Sequence, residues 1–160
     1  MSGVTDLQDR TVLVRCDLSQ GLNAHFAAGL RDLAVRGARV AVIAGYDNPG
    51  GDVNPTLSLR HLVEPLEQLT GLPVHFVGDC VGPVAESGLA ATPDGAIALL
   101  ENLRFHPEAQ RRSRTFAIRL SALGDYFAVP GGMPESASVW IRELAKLLPE
   151  PTTPIFAPSA

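Results

Sequence analysis

A chain of 160 residues is about one domain's worth and can bury a proper core, and 46% hydrophobic with 19% charged residues is a soluble globular composition. With 13 Lys and Arg against 17 Asp and Glu, the formal net charge is -4, which leaves no basic footprint for nucleic acid. No apolar stretch reaches the length of a membrane span, and the N-terminus lacks a basic region followed by an apolar run, so a cytoplasmic protein without a leader is expected.

Along the chain, strand-like and helix-like segments alternate. Thr11 to Arg15 is an apolar, β-branched strand, Ala24 to Val35 has helical composition and spacing and closes at Gly37, and Ala38 to Ala44 is a second strand, making a βαβ unit. Ser58 can cap the next helix, which runs to about Leu69 and is closed by Gly71 and Pro73, and strand Val74 to Val77 follows. A helix around Val81 to Ala90, a strand Ala96 to Leu100, a helix Arg114 to Leu123 and a strand Tyr126 to Val129 continue the pattern. The last helix is Ser138 to Leu148, capped by Ser136 or Ser138.

Near-continuous apolar strands alternating with helices predict a parallel sheet covered on both faces. The expected fold is therefore a Rossmann-like, three-layer α/β/α sandwich with a mainly parallel sheet, a single domain over residues 1–148. Residues 149–160 hold four of the chain's 13 Pro and cannot sustain a helix, so they are expected to form an extended or mobile tail.

Few residues outside the strand ends suggest chemistry. Cys16 and Cys80 lack C-x-x-C spacing and read as small buried apolar residues in a reducing compartment. His25, His61, His75 and His106 are scattered without the paired spacing of a metal site or an acid/base couple, so no metal and no cofactor is expected. Arg111, Arg112 and Arg114 read as the solvated start of a helix. Gly50-Gly51 and Gly131-Gly132 are not followed by G-K-[ST] and read as turns.

In a parallel sheet, ligands bind at the carboxyl ends of the strands. There the chain places Arg15, Asp17 and Ser19, then Gly45 to Gly51, then Asn102, Arg104 and His106, then Pro130 to Gly132. The segment Leu99-Leu100-Glu101-Asn102-Leu103-Arg104-Phe105-His106 resembles the L-L-E-N-L-R-F-H signature of the phosphoglycerate kinase family. Thr11 to Asp17 is similar to that family's first strand, V-L-V-R-V-D-F-N. Ser58 to Leu69 followed by Gly71 to Gly82 is similar to its S-L-x-P-V-A-x-x-L and G-x-P-V-x-F-x-x-D-C-x-G block, and Phe116 to Asp125 to its F-A-x-x-L-A-x-L-G-D helix. These matches run in order over roughly residues 10 to 148 and resemble the family's amino-terminal domain.

The resemblance implies a site for 3-phosphoglycerate built from several Arg and a His, because the guanidinium fork pairs phosphate and carboxylate bidentately. Asp17 and Arg104 stand on matching positions, and Ser19 stands where the family has Asn; these are the vestigial substrate-binding residues. The rest of the patch is reduced. The loop after Ser19 is short and lacks the arginine of the family's D-T-R-I segment. In the S-H-L-G-R-P turn the His is Gly45 and the Arg is Asn48, with Asp47 adding negative charge, and the V-N-D-A-F-G-T-A-H-R-A-H-A-S segment becomes Val129 to Ser138 without Arg. The resemblance also implies a nucleotide-binding second domain, which this sequence does not contain.

A non-catalytic, kinase-like domain serving as an interaction or accessory subunit of a larger assembly is therefore expected, with no catalytic residues and no nucleotide binding. The alternatives are a residual phosphotransferase half and a small-anion-binding regulatory module. Asp17 and Arg104 are expected to pair with each other across the carboxyl edge. The surface facing the missing domain supplies the interface candidates Trp140, Ile141, Leu144, Leu148, Ile155 and Phe156 for a protein partner; in the competing arrangement the tail folds back with Ile155 and Phe156 as a plug.

Overall fold

The computed structural model describes residues 7–17, 22–45, 55–106, 114–130 and 139–151. Five strands, β1 (Thr11–Arg15), β2 (Arg39–Ile43), β3 (Val74–Val77), β4 (Ile97–Leu100) and β5 (Tyr126–Ala128), form one sheet in the order β3-β4-β2-β1-β5. Every described pairing is parallel, with Val12 opposite both Val40 and Tyr126, and Val40 opposite Ile97. The expected α/β sandwich is thus the observed one. Helices α1 (Ala24–Val35), α2 (Val63–Thr70), α3 (Gly82–Ala90), α4 (Thr115–Ser121) and α5 (Val139–Leu147) make the outer layers.

The two-residue period of the strands sorts the core into two apolar layers. Leu13, Ala41, Ile43, Ala98, Leu100 and Phe127 face one side, where they meet Ala85 and Leu89 of α3, Phe116 and Leu120 of α4, and α5. Val12, Val14, Val40, Val42, Ile97 and Leu99 face the other, packed on Phe26, Leu30 and Leu33 of α1 and Leu66 of α2. Burial of each such side chain stabilises the fold by about 1.5–3 kcal/mol before entropy is counted.

Local chemistry sets the helix ends. The Asn23 side chain accepts the Phe26 N–H at 2.8 Å and starts α1. Gly37, just beyond its end, adopts a φ of 97°, which an L side chain rarely takes. Gly71 closes α2 in the left-handed region at φ 70°. The expected helix from Ser58 divides in two: Ser58 caps a 3-10 turn over Leu59–Leu62, and the α-helix begins only at Val63. Pro65 explains the division. It has no N–H, so it is tolerated in the first turn of a helix starting at Val63 but not deep inside one starting at Leu59.

One expectation is corrected here. Trp140, Ile141 and Leu144 are 6%, 2% and 0% exposed, so they are not a bare surface awaiting a partner. They form the apolar stripe of α5 and cover the sheet face beside α4, with the Trp140 ring 6.5 Å from that of Phe127. Leu148 packs half-buried against the same layer, and the Phe127 N–H, on edge strand β5, donates to the Pro149 carbonyl at 2.9 Å. Ile155 and Phe156, with the rest of the tail beyond Pro151, lie outside the described residues.

Truncating the stripe tests this packing. Trp140→Ala is expected to destabilise the chain by about 3–5 kcal/mol in urea unfolding, the usual cost of emptying a buried aromatic position. A loss below about 1 kcal/mol would show that α5 does not belong to the core.

Candidate functional site at the carboxyl edge of the sheet

The two ends of the sheet differ in how their charges are used. At the amino end, Arg39 donates to the Thr92 carbonyl at 2.7 Å and lies 4.0 Å from Asp94, while Asp125 accepts the Thr11 N–H at 2.9 Å and lies 3.9 Å from Arg10. Those groups close turns. The carboxyl end carries the residues singled out above.

At the end of β1, Cys16 prolongs the ladder by donating its N–H to Ile43 at 2.9 Å, and the next residue, Asp17, lies 3.7 Å from the Arg15 guanidinium. Asp17 thus has a cation on its own strand. The Arg104 side chain lies outside the described groups, as do Ser19, Asp47, Asn48 and both Gly-Gly pairs, so the expected Asp17–Arg104 pair falls there too. Gly45 lies two residues beyond the end of β2 and offers backbone where the family motif has an imidazole.

Immediately after β4 stands Glu101, whose carboxylate is occupied by protein groups. Oε2 accepts the Ser58 hydroxyl at 2.6 Å, while Oε1 accepts the Leu59 N–H at 2.8 Å and the Asn102 N–H at 2.9 Å. Asn102, 1% exposed, donates to the Leu57 carbonyl at 3.1 Å. Together they fasten the segment before α2 to the edge of the sheet. These hydrogen bonds satisfy loop backbone groups, a structural role for the pair.

A constellation that sequence reasoning missed lies beside it. Asp79 and Cys80 follow β3, and His106 follows the 3-10 turn Leu103–Phe105 that leaves β4. His106 Nε2 lies 2.6 Å from Asp79 Oδ1, which also accepts the Cys80 N–H at 2.7 Å, and the imidazole rests tilted against Phe116 at 5.7 Å. The available signal was positional: a D-C dipeptide and a His, each just past a strand end on the ligand-binding edge.

Both cysteines are buried, as their isolated spacing suggested. Burial, reinforced by Asp17, pushes the Cys16 thiol from its ordinary 9.0 up to about 12, although Arg15 opposes the shift. Burial raises the Cys80 thiol further, aided by Asp79 and Glu101 and opposed by its own backbone hydrogen bond and by Arg119. Neither is a ready nucleophile.

Comparison with known proteins agrees with the fold of this sheet. Residues 3–130 match the family model for phosphoglycerate kinase. A phosphoglycerate kinase of Caulobacter vibrioides (strain NA1000 / CB15N) is 39% identical over 155 residues, covering 90% of this chain and 39% of the relative. One of Moorella thermoacetica is 38% identical over 132 residues, covering 76% of this chain and 34% of the relative. The chain thus spans well under half the length of the curated relatives it matches. Among solved structures, the phosphoglycerate kinase from Pyrococcus horikoshii OT3 shares the fold with a TM-score of 0.75 at 20% identity, over 91% of this chain and 40% of that one.

Two measurements check the roles given to these groups. Glu101→Gln should cost about 1.5–3 kcal/mol of unfolding free energy, because a charged acceptor serving several donors becomes a neutral one with a single acceptor oxygen. A change below about 0.5 kcal/mol would remove its structural role. The Cys16 thiol is raised on folding, so its stabilising contribution is complete below pH 9.0 and is lost as the pH climbs toward about 12, where the folded thiol also ionises. Alkaline unfolding curves should therefore fall less steeply for Cys16→Ala than for the native chain; equal slopes would contradict the shift.

Proposed function

The chain belongs to the phosphoglycerate kinase family, and from that premise we propose that it is a non-catalytic counterpart of the family's acid-binding half, acting as an interaction or accessory subunit. The observation that carries this reading is the loss of cations at positions the motifs align. Gly45 stands for His, Asn48 for Arg, and Val129 to Ser138 contains no Arg.

Each charge-assisted hydrogen bond contributes about 1.5–3 kcal/mol, so losing three weakens anion binding by roughly three powers of ten or more. The charges that remain do not compensate. Asp17, Asp79 and Glu101 stand at the ends of β1, β3 and β4, and Arg15 lies against Asp17. A phosphorylated acid approaching this edge meets the carboxylates that the family motifs also carry, with fewer of the family's cations to offset them. Phosphoryl transfer depends on positioning and charge neutralisation, so a poorly held acceptor leaves little catalysis.

The retained Asp17 and Arg104 favour a competing reading, a residual phosphotransferase half or small-anion module, and fold alone does not choose between them. With α5 committed to the core, the exposed large apolar side chains among the described residues are Val35, Leu69, Val84 and Ile118, spread over four helices. A partner surface would draw on these helix faces.

Calorimetric titration with 3-phosphoglycerate, ATP and ADP, beside a coupled assay in both directions, tests the proposal. No saturable heat and no turnover above buffer are expected. Turnover that disappears in Arg104→Ala would establish the residual enzyme instead. Light scattering on natively purified protein should find a stoichiometric complex, and a monomer at every concentration would contradict the accessory role.

A further inference from the structure

We infer that Asp79, Cys80 and His106 form a site for one borderline divalent cation of the Zn2+ class at the β3 end of the carboxyl edge. This role is independent of the reading of the acid-binding half. The carboxylate, thiol and imidazole donor atoms lie within 4.8 Å of one another. They come from the ends of two strands, Asp79 and Cys80 after β3 and His106 after β4, 27 positions apart in sequence from Asp79 to His106. Mixed O, S and N donors suit Zn2+, and protein ligands in this number leave a fourth tetrahedral position for water.

The site is asymmetric in the way an open centre requires. Cys80 is closed to solvent at 0% exposure, whereas the His106 and Asp79 side chains are 23% and 35% exposed. An ion would sit between a buried sulfur and a solvent side. The charged groups acting on Cys80 are Asp79, Glu101 and Arg119, a set with more negative than positive charge. The start of α3 at Gly82, two residues beyond Cys80, opposes a cation, and the Asp79 and Glu101 carboxylates act against it.

Coordination asks for a modest rearrangement. Bonds of about 2.0–2.3 Å place tetrahedral donors roughly 3.3–3.8 Å apart, so His106 must withdraw from its 2.6 Å contact with Asp79 while Cys80 Sγ draws in. His106 stands just beyond a single 3-10 turn, its N–H donating to the Leu103 carbonyl at 3.1 Å, and its side chain is 23% exposed, which gives the ring a solvent side toward which to move. On binding, the Cys80 thiol proton passes to solvent and its sulfur lone pair to the metal.

Titrating the full chain with Co2+, then displacing it with Zn2+, tests this assignment. A single equivalent should produce the near-ultraviolet band of thiolate-to-Co2+ charge transfer together with tetrahedral visible bands, both lost on adding Zn2+. His106→Ala should weaken binding at least ~10-fold, Cys80→Ser should abolish the thiolate band, and Cys16→Ala should leave it intact. Circular dichroism of the metal-free variants checks folding, and if Cys80→Ser does not fold, the part-exposed His106→Ala and Asp79→Asn carry the test. The inference is overturned if no thiolate band appears at millimolar Co2+, or if binding is indifferent to both His106→Ala and Asp79→Asn, in which case the trio is a hydrogen-bonded bridge alone.

Discussion

Every strand in this sheet runs parallel to its neighbours, so each must return to the same end through a crossover, and the crossovers lay helices over both faces. Leaving either face bare would expose a layer such as Leu13, Ile43, Leu100 and Phe127 to water. That requirement assigns α5. Its Trp140, Ile141 and Leu144 finish the layer begun by α3 and α4, and so they are spent on the chain's own core. The same parallel arrangement gathers all strand carboxyl ends on one edge, which is why one line of loops holds nearly every residue of chemical interest.

Two kinds of group share that edge. Glu101 and Asn102 serve the protein itself, binding the segment around Ser58 to the end of β4. Asp17 faces Arg15, and Asp79 faces His106. With Gly45 and Asn48 where the motif has His and Arg, the sequence supplies fewer cations to offset these carboxylates, and the proposed loss of acid binding rests on that difference. The proposed metal site stands apart from this change, on the closeness of the Asp79, Cys80 and His106 donor atoms.

Much of the fold was legible in the amino-acid sequence because it rests on periodicity and on end signals. β1, α1 and β3 occupy the residues expected of them, bounded by Asn23, Gly37, Gly71 and Pro73. The split at Leu59–Leu62 was missed because the Ser58 cap was weighed without the missing N–H of Pro65. The burial of α5 was missed because its apolar stripe fits a partner's surface as well as its own sheet; only the unfilled layer over Phe127 distinguishes the two. The pairing of His106 with Asp79 leaves no local pattern, since neighbouring parallel strands bring together residues that a long crossover separates. The resemblance of the strand-end motifs to phosphoglycerate kinase carried the family assignment, whereas the role of individual edge residues needed their partners.

The central claim is that this edge no longer holds the family's acid substrate. A two-dimensional amide NMR titration of the 15N-labelled chain with 3-phosphoglycerate tests it most directly, because it reads the strand ends one by one. The account predicts that the amides of Cys16, Gly45 and Asn102 stay in place as the ligand is raised into the millimolar range. Saturating shifts converging on those amides would contradict it.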